Sequence, residues 1–139
     1  MTSSAPRRRA FFAQGGQTHS SPIPEGVVAG GFIFLSAVRG VDLKTQQVET
    51  DDIEEQTRLA FEAMRIALKT AGATLDDVVK ISVFFKDMND RVGFNKVWAE
   101  TFPKDNPPAR YAIQAVDFGV VGDRSRVLLD VIALAPEGA

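Results

Sequence analysis

Lys80-Ile81-Ser82-Val83-Phe84-Phe85-Lys86, running into Asp87-Met88-Asn89-Asp90, is the stretch on which the fold turns. β-Branched and aromatic residues from Val78 to Phe85 read as a strand. Asp90 is then placed to cap a helix carrying Phe94, Trp98 and Phe102 at i, i+4 and i+8, with Pro103 as its stop. Beyond it lies Pro107-Pro108-Ala109-Arg110. An arginine just after a Pro-Pro stop, opening a new strand, is held by rigid backbone. Its planar fork suits bidentate capture of a carboxylate.

Upstream, Val27-Val28-Ala29, Gly30-Gly31 and Phe32-Ile33-Phe34-Leu35-Ser36 predict a β-hairpin with a two-residue turn. Residues 40–48 read as a polar loop with room for a short strand. A longer helix follows. Asp51 with Glu54 three residues on resembles a capping box, and Gly72 closes the helix as a C′ glycine. Ile53, Thr57, Ala60, Met64, Ala67 and Ala71 fall at helical spacing, with Phe61 and Leu68 widening the apolar face. Downstream, Tyr111–Val116 reads as a strand, and so does Arg126–Ala135. The latter is apolar on both faces except at Asp130, which places it in the centre of a sheet covered on both sides.

The order is β-β-(β)-α-β-α-β-β. Two helices cover one face of such a sheet, and so short a chain has nothing left for the other. An oligomer that buries sheet faces together is therefore expected. The 139 residues suit a single domain over 22–139, preceded by a Ser/Gly/Gln-rich arm over 1–21 that reads as flexible. Within the arm, Phe11 and Phe12 are unusual for an exposed leader.

Composition excludes several kinds of chemistry. There is no cysteine, so disulfides and thiolate chemistry are absent. One histidine, His19, cannot build a His-rich metal site, so neither metal nor other cofactor is expected. A net charge of −2, with no basic run beyond Arg7-Arg8-Arg9, disfavours nucleic acid as a partner. No apolar run is long enough for a membrane span. Arg8-Arg9-Ala10-Phe11-Phe12 looks like a twin-arginine signal, but no apolar segment follows, and a cytoplasmic protein is expected.

The chain resembles the reactive intermediate deaminase family, also called RidA or YjgF, over residues 22–135. The likeness is carried by Gly26, Gly30, Phe34-Leu35-Ser36, Gln56-Thr57, Lys86-Asp87-Met88-Asn89-Asp90, Asn95, Pro108-Ala109-Arg110 and the closing apolar strand. The resemblance implies a chorismate-mutase-like α+β fold, with two helices on one face of a sheet. It implies a homotrimer with sheets facing inward and clefts between subunits. It also implies hydrolysis of reactive enamines or imines, 2-imino acid to 2-oxo acid plus ammonia, without cofactor.

On this resemblance Arg110 is the residue that binds the substrate carboxylate. Ser36 lines the cleft, or is a strand-end hydroxyl bonded to backbone. Asn95 lies near the cleft, or makes a structural hydrogen bond. The chain also departs from the family pattern. Where typical members carry Glu-x-Glu on the last strand, this chain has Leu128-Leu129-Asp130, so Leu128 replaces the first acid. Asp130 shares a face with Leu128 about 7 Å along the strand. It is either a catalytic acid or a structural partner of an arginine. Ile23 stands for an aromatic hydroxyl residue, Ala37 for a glycine and Ala112 for a cysteine. Arg39 offers a second guanidinium to the cleft rim, and the loop 117–125 is longer than usual. An imine deaminase for a specialised catabolic substrate and a non-catalytic binder of small carboxylates both fit. Ribonuclease activity does not.

Overall fold

The computed structural model describes residues 7–12, 22–119 and 122–138. Seven strands and two helices appear in the order β1 (Arg8–Phe11), β2 (Gly26–Ala29), β3 (Phe32–Leu35), β4 (Val38–Arg39), α1 (Ile53–Thr70), β5 (Val78–Phe85), α2 (Arg91–Thr101), β6 (Ala109–Gln114) and β7 (Val127–Leu134). They form one mixed sheet in the order β1-β2-β3-β7-β5-β6, with β4 also paired to β7. Among the described strands only β5 and β6, joined through α2, run parallel.

The β2–β3 hairpin turns at Gly30 and Gly31, with φ of 58° and 84°. Both values suit a type I′ turn, which requires positive φ at both central residues.

Alternation along the strands assigns the two faces of the sheet. Ile33, Ile81, Val83, Phe85, Val127, Leu129, Val131 and Ala133 are fully buried beneath the helices. α1 adds Ala60, Phe61, Met64 and Leu68 to this core. α2 adds an aromatic cluster. Phe94 meets Phe85 edge-on at 5.4 Å, and Phe61 meets both Phe94 and Phe102 edge-on.

The opposite face is open in the single chain. Phe32, Phe34, Tyr111, Ile113 and Leu134 are each about two-fifths to one-half exposed there. β7 is therefore central, as its composition predicts, but one chain covers only one of its faces.

Four local expectations are corrected. The arm is not wholly flexible: Arg8–Phe11 pairs antiparallel with β2, in register Phe11 to Gly26. The physical reason is at Gly26, where a Cβ would lie 2.8 Å from the Phe11 ring, so only glycine lets that ring lie down on the sheet and be buried. Residues 13–21, including His19, lie outside the described residues. The short strand expected within 40–48 forms earlier, at Val38–Arg39.

α1 is capped by Asp52, whose carboxylate accepts from the Glu55 amide, rather than by Asp51. Asp51 instead pairs with Arg124 at 2.9 Å. Asp90 starts α2 but makes no cap bond. Its two oxygens accept from Arg126 Nε and Nη2 at 2.9 and 3.0 Å, a bidentate bridge from the start of α2 to the start of β7. Asp87 caps the preceding 3₁₀ turn by accepting from the Asn89 amide.

Among the described residues no helix is long and apolar enough to cross a membrane.

Candidate functional site

Arg110 is the second residue of β6, at one edge of the sheet. Its register partner on β5 is Ile81, a core residue, so its side chain leaves the sheet on the helix side. There α2 meets it. The guanidinium carbon lies 4.8 Å from the Trp98 ring centroid and 5.4 Å from that of Phe94. These two residues stand four apart and so share one stripe of the helix. Asn95, beside Phe94, accepts from Arg110 Nη2 at 2.7 Å. Ala112, two residues along the strand, shares the face and packs against the core.

The electrostatics of this seat are distinctive. Burial lowers the Arg110 pKa from its ordinary value, and the like charge of Arg91 adds to the effect. An arginine stays protonated regardless. Among the described residues no carboxylate forms an ion pair with it, and its hydrogen-bond partner is a neutral amide. A half-desolvated cation on aromatic rings, held by an amide, favours an incoming anion. The surrounding rings lower the local dielectric and strengthen that attraction.

The remaining predicted residues lie elsewhere. Arg39 is the cross-strand partner of Leu128, Leu128 of Phe84, and Asp130 of Ser82. Their neighbours Val38, Leu129 and Val131 point into the core, so Arg39, Leu128 and Asp130 occupy the open face. In one chain Asp130 and Arg110 thus point to opposite sides of the sheet, and a single copy does not assemble them into one site. No hydrogen bond or ion pair engages Asp130 among the described residues, so the structural role of pairing an arginine is not seen there.

Ser36 donates its hydroxyl to the Pro24 carbonyl at 2.7 Å, the backbone-bonding alternative for this residue. Ala37 is exposed beside it, and Ile23 is 58% exposed. Arg39 is not a loose rim cation: its Nη1 donates to Asp123 Oδ1 at 3.0 Å.

Sequence reasoning missed two features. Phe94 and Trp98 read as an apolar stripe rather than a seat for a guanidinium; the available signal was Asn95 set among them. The second is Asp123, which no local motif marks. Its Oδ1 also accepts from the Ser125 amide at 3.1 Å and the Ser125 hydroxyl at 2.7 Å. Its Oδ2 is buried with no partner. Burial pushes this carboxyl upward, but the Ser125 hydrogen bonds and the charges of Arg39 and Lys86 outweigh it, and the net shift is downward. Among the described residues no cluster of three or more His, Asp or Glu side chains could hold a metal ion.

A mixed sheet with two helices on one face and a guanidinium held by an amide and two aromatic rings at its parallel edge defines an α+β domain of a recurrent type. The profile described as endoribonuclease L-PSP matches residues 20–134. A RutC family protein of Pyrococcus horikoshii is 35% identical over 107 residues, covering 77% of this chain and 84% of the relative. A Yersinia pestis protein of the conserved Rid family superposes with a TM-score of 0.82 at 23% identity, covering 92% of this chain and 99% of its own. The RidA of an Antarctic Psychrobacter superposes at 0.79 with 22% identity, covering 91% and 98%. The chain belongs to the Rid/YjgF family, the group whose profile carries the endoribonuclease L-PSP description.

Proposed function

We propose that the protein is a hydrolytic deaminase of small 2-imino acids, with a site completed between two copies of the chain. The observation that carries this reading is Arg110: a cation with no acidic partner among the described residues, oriented by Asn95 and seated on Trp98 and Phe94. Its fork would take the carboxylate of a 2-imino acid and present the adjacent C=N carbon. Water then adds to that carbon as the C=N electron pair moves to nitrogen. The carbinolamine collapses to the 2-oxo acid, its hydroxyl losing a proton and the C–N bond breaking to release ammonia. Much of the rate gain comes from positioning an already electrophilic carbon.

Two features favour a site between copies. The Arg110 group and the Arg39–Leu128–Asp130 group occupy opposite faces of one sheet. The open face presents the exposed Phe32, Phe34 and Leu134, an apolar area that a second copy would cover. A homotrimer packed through this face is the assembly we propose.

A second reading, carboxylate binding without turnover, is favoured by one specific observation: Leu128 stands where the family pattern has an acid. The family description names an endoribonuclease, but beyond the exposed Arg7-Arg8-Arg9 run most of the arginines are not free. Arg58, Arg65, Arg124 and Arg126 are each paired with carboxylates.

The test generates 2-imino acids in situ with an amino-acid oxidase and follows 2-oxo acid release. The expected result is acceleration over buffer by the wild type and none by Arg110→Ala. Saturable binding of 2-oxo acids with no acceleration would establish the second reading instead. Neither binding nor acceleration would refute both.

A further inference from the structure

We propose that Asp123 supplies the carboxylate of the hydrolytic half of this site, replacing the acid that the last strand lacks at Leu128. This rests on the deaminase reading above. It starts from an unbalanced group. Asp123 Oδ1 accepts three hydrogen bonds, from Arg39 and from Ser125 twice, whereas Oδ2 is buried with no donor. Buried polar oxygens are nearly always paired, and leaving one bare costs about 1–3 kcal/mol or more. A donor is therefore called for at Oδ2, and a water molecule or a protonated nitrogen is a donor of the right kind.

The position fits the vacancy in the pattern. Arg39, which Asp123 grips, is the cross-strand partner of Leu128. The carboxylate is thus one side chain removed from residue 128, gripped by an arginine of the open face and itself 2% exposed in the single chain.

It is also held rigidly, although it lies in a loop. Lys86 Nζ donates to the Asp123 carbonyl at 3.1 Å and stands over the Phe118 ring. Just downstream, the fully buried Gln56 donates to the Arg124 carbonyl and accepts from the Arg126 amide, fixing the chain at both steps. Asp130, by contrast, is exposed and held by nothing among the described residues.

The charged groups facing Asp123 are Arg39 from β4 and Lys86 from the end of β5, both cations; burial opposes ionisation, and the Ser125 hydrogen bonds followed by these two charges outweigh it. It can accept a proton from water as the oxygen bonds to the imine carbon. It can return that proton to nitrogen as the C–N bond breaks. Because Arg110 leaves the sheet on the helix side, whereas the Arg39 that grips Asp123 stands on the open face, the two would act on one substrate from different copies.

The experiment is subunit complementation. Arg110→Ala and Asp123→Asn are each expected to lose turnover, the latter by about 10²–10⁴-fold in kcat. Asp123→Asn should leave the Kd for a 2-oxo acid unchanged, because Arg110 is intact. Co-expressed as mixed assemblies, the two variants should recover activity, about a quarter of wild type if copies mix at random around a closed ring. Leu128→Glu should restore part of the rate to Asp123→Asn.

Full kcat in Asp123→Asn, loss of kcat in Asp130→Asn instead, or no recovery on mixing would overturn the assignment while leaving the deaminase reading in place. No turnover by the wild type would overturn both. If Asp123→Asn does not assemble, Ser125→Ala decides the matter. Removing a hydrogen bond to the ionised form should move the acidic limb of the pH–rate profile upward, and an unmoved limb overturns the assignment.

Discussion

Replacing Arg110 by lysine keeps the positive charge and removes the fork, so it isolates the geometric part of anion binding. The bond to Asn95 Oδ1 uses one of the five guanidinium N–H donors, leaving enough for two parallel bonds to a carboxylate. Each charge-assisted bond contributes about 1.5–3 kcal/mol net. A lysine ammonium supplies one such bond from a point charge, so the expected loss is one bond. That corresponds to a rise in Kd of about 10- to 150-fold. Alanine loses both bonds, and the expected rise is at least about 10²-fold.

The aromatic seat makes the comparison sharper. Lysine cannot stack flat on Trp98 as a guanidinium can, and it shifts its pKa readily when desolvated. Wild type, Arg110→Lys and Arg110→Ala would be compared by titration calorimetry with a short 2-oxo acid, with thermal midpoints measured alongside. Affinity should fall in that order while the midpoints stay close, because the guanidinium sits on the core rather than inside it. Equal Kd values for Arg110→Lys and wild type would refute the fork. A Kd for Arg110→Ala unchanged from wild type would refute the seat itself.

Three further outcomes test the framework around the site. Gly40→Ala would drive a Cβ into the Gln56 backbone carbonyl, so a loss of about 1–3 kcal/mol is expected by urea denaturation. Asp90→Ala leaves the Arg126 guanidinium without its bidentate partner. Because Arg126 is 41% exposed, water offsets part of the loss, and about 1–2 kcal/mol is expected, with faster amide exchange at the start of α2. Phe34→Glu sets a charge in the middle of the open face. Light scattering should then give a mass near the 15.1 kDa of one chain, whereas wild type should give a multiple of it. A large assembly retained by Phe34→Glu would remove the open face as the contact surface.

Strong local patterns made most of the fold legible. The Gly30-Gly31 turn, the α1 stripe ending at Gly72 and the apolar β7 each announce themselves within a few residues. What stayed hidden depends on long-range partners. Asp90 has the position and chemistry of a helix cap, yet its carboxylate turns to Arg126, 36 residues away. A bidentate ionic partner outcompetes a single backbone amide. β1 was hidden for a similar reason: nothing local distinguishes Arg8–Phe11 from a leader, and its order comes from a glycine on the neighbouring strand that leaves room for Phe11. At the site, Pro-Pro-Ala-Arg gave away Arg110. Asp123 could not be found, because its role comes from Arg39 and Lys86, which are 84 and 37 residues distant.

The arginines of this chain divide by what holds them. Arg39, Arg58, Arg65, Arg124 and Arg126 each meet a carboxylate of the same chain. Arg110 meets an amide and two aromatic rings. An intramolecular acid at that point would stabilise the fold and, by the same interaction, compete with any acidic ligand. Asn95 avoids the competition: it fixes the direction of the guanidinium without neutralising it. Phe94 and Trp98 exclude water from one side and leave the attraction for an anion strong. The same separation of tasks extends to the two faces of the sheet. The helix face is filled and carries the Arg110 guanidinium at its edge, whereas the open face carries apolar side chains together with Arg39, which reaches Asp123. A substrate that needs both a carboxylate anchor and a buried oxygen base can find them together only where the edge of one copy meets the open face of another. Assembly and catalysis would then depend on the same contact, and Phe34→Glu should abolish turnover without weakening the fold of the single chain.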